Sequence, residues 1–105
     1  MKIKITISII IIAFLITNRL GADSLKDGNK EYENNNYSRA YSHYDKAMRE
    51  KPQNPLPFIN MGNVLYKLRD YENAIIHYDK AIVNCKQSKS YNEKLLAQIY
   101  YNKGI

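Results

Sequence analysis

A pentapeptide occurs twice in the chain. His43-Tyr44-Asp45-Lys46-Ala47 returns as His77-Tyr78-Asp79-Lys80-Ala81, a shift of 34 in the numbering. The same shift lays Gly28 on Gly62, Asn29 on Asn63, Tyr32 on Tyr66, Tyr37 on Tyr71 and Ala40 on Ala74. A period of about 20–50 residues marks stacked supersecondary units, none of which can bury its hydrophobic face alone. The fold must therefore repeat one unit and bury a continuous core between copies.

The unit reads as two helices. From Asp23, Leu25, Gly28 and Tyr32 share one face, and Asn34-Asn35-Asn36 interrupts it. A second helix begins near Tyr37 with Ala40, Tyr44, Ala47 and Met48 at i, i+4, i+7 and i+8. Pro52, which cannot continue the backbone hydrogen bonds, stops it. A third helix is expected from about Pro55 to Leu68, with Phe58, Met61, Gly62, Leu65 and Leu68 as its apolar stripe. Arg69-Asp70 turns the chain into a fourth, from about Tyr71 to Lys86, carrying Ala74, Ile75, Tyr78, Ala81 and Ile82. A last helix is expected from Tyr91 to Lys103.

Paired antiparallel helices of about 13 residues in a unit of this length resemble the tetratricopeptide repeat. The second copy carries the resemblance best: Phe58, Met61, Gly62, Leu65, Tyr71, Ala74, Tyr78 and Ala81 occupy the family's large and small signature sites. The first copy matches at Gly28, Tyr37, Ala40, Tyr44, Ala47 and Pro52. It departs at Ser24 and Asp27, where larger residues are usual, so a loosely packed first helix is expected there. The resemblance implies an all-α, right-handed α-solenoid with repeats at about 21–54 and 55–88 and a partial third at about 91–105. In that third unit, Tyr100-Tyr101-Asn102-Lys103-Gly104 is similar to Phe58-Ile59-Asn60-Met61-Gly62, but the step from Gly62 to Gly104 exceeds the period by eight. The extra length is expected between Lys86 and Asn92. Residues 91–105 read either as a cap on the array or as the start of a repeat in a longer protein.

Residues 1–22 have a separate character. Lys2 and Lys4 precede a nearly apolar stretch, Ile5 to Ile16, and a tail ending Leu20-Gly21-Ala22. This is the layout of a secretory signal peptide, similar to a bacterial Sec signal. The stretch is shorter than the ~20 residues that cross ~30 Å of hydrocarbon. An uncleaved anchor with Lys2 and Lys4 in the cytoplasm is the alternative. The two readings predict a periplasmic protein or an inner-membrane-anchored one, with residues 23–105 as the folded domain.

The formal charge of +6 suggests nucleic acid until its placement is considered. Lys2, Lys4 and Arg19 lie in the segment 1–22, and the remaining 13 basic groups alternate with ten acidic ones without a Lys/Arg block, as on a solvated helix face. Nucleic acid is not an expected partner. Cys85 is the only cysteine, so neither an intramolecular disulfide nor a cysteine-based metal site can form, and it reads as a small packing residue near a helix end. His43 and His77 occupy equivalent positions, but Asp45 and Asp79 lie two positions on and point to another face. No Ser/His/Asp set, phosphate loop or carboxylate pair stands out, so neither catalysis nor a cofactor or metal is expected.

Binding is what such a fold offers. By resemblance, the first helices line a concave groove, with Leu25, Asn29, Tyr32 and Glu33 from unit one. Unit two supplies Ile59, Asn63, Tyr66 and Lys67, and Gln98 and Tyr101 follow from unit three. Aromatic rings beside amides suit an extended peptide, since rings give rigid contact area and Asn can bond the ligand backbone. Tyr32 and Tyr66 could equally serve as packing between neighbouring helices, and both readings stay open. One version of the family grips a C-terminal carboxylate with basic residues and Asn. Asn29 and Asn60 match that set, but Leu25, Gln98 and Asn102 replace its cations, so that clamp is not expected.

Within the resemblance, the exported start, the run from Asn60 to Ile82 and the offset third unit look like the repeat subunit of the bacterial aerotolerance (Bat) operons. That implies a noncatalytic envelope adaptor with von Willebrand A-type membrane proteins as partners. The alternative is a membrane-anchored unit that self-assembles end to end through its incomplete third repeat.

Overall fold

The computed structural model describes residues 23–88 and 93–104, and every regular element within them is an α-helix. Residues 1–22, which carry the expected signal or anchor, lie outside the described residues. Helix α1 covers 23–33, α2 Tyr37–Glu50, α3 Pro55–Lys67, α4 Tyr71–Gln87 and α5 Glu93–Lys103. No helix among the described residues is long and apolar enough to cross a membrane.

The repeat extends to the turns. Asn35 and Arg69, equivalent positions of the two units, have positive φ values of 62° and 64°. Asn35 N–H donates to Tyr32 O and Asn36 N–H to Glu31 O; Arg69 and Asp70 repeat these bonds to Tyr66 and Leu65. This paired pattern closes a helix end through one left-handed residue and satisfies carbonyls the helix leaves open. The following helices start on side-chain caps where they can. Asn54 Oδ1 accepts from Leu56 N–H at 3.1 Å just before Pro55, and Asp70 Oδ1 accepts from Asn73 N–H at 3.4 Å.

Small residues set how closely the helices approach. Ala40, Ala47, Ala74 and Ala81 are buried, and Tyr44 and Tyr78 lie beside them at 1% and 3% exposure. Gly28 faces the Tyr44 ring and Gly62 the Tyr78 ring. Successive helices pack in order, α2 on α3, α3 on α4 and α4 on α5, around one apolar cluster that includes Met61, Val64, Leu65 and Ile99. Leu68 and Ile75, expected on apolar stripes, are exposed at 47% and 43%.

Three details refine the sequence reading. Ser24 is buried, not loosely packed: its hydroxyl donates to Glu50 Oε2 at 3.3 Å, so a polar residue fills a large-residue site by bonding to α2. Asn84 is also buried and donates from Nδ2 to Pro52 O at 3.0 Å, tying α4 to the turn between the units. Part of the extra length before unit three is helix, since α4 has 17 residues against 14 in α2. Cys85 is buried near the end of α4.

Candidate functional site: the face of α1, α3 and α5

The first helices of the three units lie side by side, joined by a repeated hydrogen-bond ladder. Asn29 Oδ1 accepts from the Tyr44 hydroxyl at 2.6 Å and from Asn60 Nδ2 at 2.9 Å. One unit on, Asn63 Oδ1 accepts from the Tyr78 hydroxyl at 2.5 Å and from Asn102 Nδ2 at 3.3 Å. Asn102 precedes Gly104 by the same two positions that separate Asn60 from Gly62. Helix α5 is therefore in phase with α3 despite the longer connection.

The ladder has a local cause. An Asn directly after the helix-contact glycine lies beside the tyrosine that packs on that glycine, and the buried hydroxyl needs an acceptor. Burial is also the leading reason the Tyr78 hydroxyl is pushed up to about 12, with Tyr32 and Tyr66 adding to it. Tyr44 rises too, first from burial and then from Tyr32 and Glu33. Both phenols stay protonated and donate. With both lone pairs of Oδ1 engaged, what Asn29 and Asn63 retain for a ligand is their N–H donors.

The ten residues expected on this face fall into three groups. Asn29, Glu33, Lys67, Gln98, Tyr66 and Tyr101 are exposed, the last two at 55% and 83%. Leu25, Tyr32 and Asn63 are half-buried. Ile59 corrects the expectation: at 3% exposure it belongs to the core. It sits on the central first helix, flanked on both sides, whereas Leu25 and Tyr101 at the equivalent register lie on outer helices.

Tyr32 packs edge-on against Tyr37 with ring centroids 5.6 Å apart, and Tyr66 against Tyr71 at 5.3 Å. Packing and display are thus combined, because each ring is held by the next helix and still presents surface. Asn60 and Asn102 are the members that reading for ligand contacts undervalued. The signal was present, an Asn two positions before the glycine in units two and three. Among the described residues no group of three or more His, Cys, Asp or Glu side chains could hold a metal. His77 Nδ1 instead lies 2.9 Å from Asn73 O.

This geometry supports binding through rigid rings and oriented amides, and comparison with known proteins agrees in kind. Residues 55–88 match the tetratricopeptide repeat. None of the curated proteins matches the chain. Among solved structures, the chain is similar to the N-terminal domain of stress-induced protein-1 (STI-1) from C. elegans, with a TM-score of 0.77 and 22% identity over 84% of this chain and 68% of that one. At that identity the likeness is one of fold. Residues 55–88 thus match one tetratricopeptide repeat, and the described residues share an all-helical fold with that domain. Repeats of this kind generally mediate protein–protein interaction and are typically noncatalytic.

Proposed function

We propose that the chain is a noncatalytic adaptor of the bacterial cell envelope that holds a segment of another envelope protein on the face of α1, α3 and α5. The observation that carries the binding half of this reading is the ladder. It fixes Asn29 and Asn63 in the same orientation one repeat apart, with Tyr32 and Tyr66 alongside. An extended polypeptide offers carbonyls at regular intervals to such donors and side chains to such rings. The only charges among the ten residues, Glu33 and Lys67, are of opposite sign, which favours an uncharged segment. The location half rests on residues 1–22, read as a signal that exports the protein to the periplasm or as an inner-membrane anchor. Likeness to the repeat subunit of the aerotolerance operons makes von Willebrand A-type membrane proteins the partners to test first.

The test is photocrosslinking in the native cell, with a benzophenone amino acid at Glu33 or Gln98 on the face, and at Val83 on the exposed side of α4. The reading expects one envelope protein with a von Willebrand A-type domain to be captured from Glu33 and Gln98 but not from Val83. Cytoplasmic adducts, or equal capture from Val83, would refute it.

A further inference from the structure

The face of α1, α3 and α5 has a pitch, and a pitch discriminates between ligand conformations. Asn60 bonds directly to Asn29 and Asn102 to Asn63, so neighbouring first helices are in side-chain contact. Helices packed in this way stand about 8–10 Å apart, axis to axis. After one such step Asn29 and Tyr32 return as Asn63 and Tyr66.

A β-strand crossing these helices does not match the step. It rises about 3.3 Å per residue and returns to the same side every second residue, about 6.6 Å on. Three residues of strand would cover the pitch but turn the side chain away from the face. A polyproline II helix has about three residues per turn and a rise of about 3.1 Å, so every third residue faces the same way about 9.3 Å on. Its period falls within the pitch of the face.

The side chains agree with the spacing. Tyr32, Tyr66 and Tyr101 supply one ring from each first helix, and Tyr66 and Tyr101 line a common cleft. Tyr32 and Tyr66 are braced edge-on by Tyr37 and Tyr71, so rigid aromatic surface is in place before a ligand arrives. Asn29 and Asn63, with Oδ1 spent on the ladder, offer N–H donors. Polyproline II makes no internal hydrogen bonds, so its carbonyls are free to accept. Proline also has no N–H that such donors would leave unmet.

We propose that the segment held on this face is proline-rich and binds as a polyproline II helix running across α1, α3 and α5, with every third residue against a tyrosine. The inference rests on the reading of this face as a partner site and names the class of its ligand.

The experiment titrates the full chain into a fluorescein-labelled peptide of nine prolines, about three turns of such a helix, and reads anisotropy. A labelled nine-residue peptide of alternating Thr and Gln, equally uncharged, is run beside it. The proline peptide should bind saturably and at least tenfold more tightly than the Thr-Gln peptide. Tyr66→Leu, at an exposed position where circular dichroism should report an intact fold, should weaken proline binding more than fivefold. Val83→Ser, on the exposed side of α4, should leave it within twofold. No saturable proline binding, equal binding of the two peptides, or binding indifferent to Tyr66→Leu overturns the proposal. The two readings fail separately. Capture of an envelope protein from Glu33 and Gln98 beside a failed proline titration removes only the ligand class, whereas Tyr66-dependent proline binding without that capture removes only the envelope partner.

Discussion

Replacing Gly62 with Ala puts two physical effects in direct opposition. In a helix interior Ala is favoured over Gly by about 1 kcal/mol, so propensity alone predicts stabilisation. The structure predicts the reverse. A Cβ on Gly62 would lie 2.6 Å from Tyr78 Cδ1 and 2.8 Å from Cζ, inside the 3.0 Å that real Cβ contacts respect. The ring is held in place, since Tyr78 is 3% exposed and its hydroxyl is tied to Asn63. Either α3 moves off α4 or the ring leaves its rotamer, and overpacking of this kind costs about 1–3 kcal/mol. Set against a propensity gain of about 1 kcal/mol, an overpacking cost of about 1–3 kcal/mol leaves a net loss of up to about 2 kcal/mol. Urea unfolding followed by far-ultraviolet circular dichroism should show a lower midpoint with an unchanged slope. Gly28→Ala, against the Tyr44 ring, should behave alike. A Gly62→Ala protein more stable than the parent by the full propensity gain of about 1 kcal/mol would show that the glycine is not required by helix contact.

Three further outcomes follow from the same contacts. Ala74→Leu, at a position 2% exposed, should lower stability by about 1–3 kcal/mol while Lys80→Ala on the exposed side of α4 barely changes it; equal effects in thermal unfolding would sink the packing assignment. Because burial raises Tyr78 to about 12, the folded state holds its phenolic proton more tightly than the unfolded chain, whose pKa is near 10. The Tyr78 contribution to stability should therefore be fully present below pH 10 and be lost as pH rises toward 12, and urea midpoints against pH should show a shallower fall over that range for Tyr78→Phe. Asn63→Ala should strand the buried Tyr78 hydroxyl at a cost of about 1–3 kcal/mol and also release Asn102. Amide exchange should then quicken more in α5 than in α2, and uniform quickening would argue against the ladder's role.

The fold was legible in the sequence because its determinants are local and repeated. Gly28 and Gly62, the alanines and the pentapeptide tyrosines recur at one spacing, and residues 55–88 keep enough of the pattern to match the tetratricopeptide repeat. Polar residues were harder to place, since a side chain's identity does not reveal its partner. Ser24 looked too small and too polar for its site until Glu50 of α2 came within reach. Asn29 and Asn63 read as ligand contacts, yet each spends its carbonyl oxygen on a tyrosine and a neighbouring Asn. Asn84 gave no signal at all, because its acceptor, Pro52 O, is a backbone atom in the distant turn between the units. Ile59 shows the limit of reasoning by equivalent positions: the same register is buried on a central helix and open on an edge helix.

The claim on which the binding face depends is that the phenols of Tyr44 and Tyr78 lock successive first helices through Asn29 and Asn63. Proton NMR of the intact protein tests it directly. The account predicts two slowly exchanging tyrosine hydroxyl protons, the Tyr44 proton with a nuclear Overhauser contact to the Asn60 side-chain amide and the Tyr78 proton with one to the Asn102 amide. Hydroxyl protons lost to fast exchange, with no contact to either amide, would contradict it.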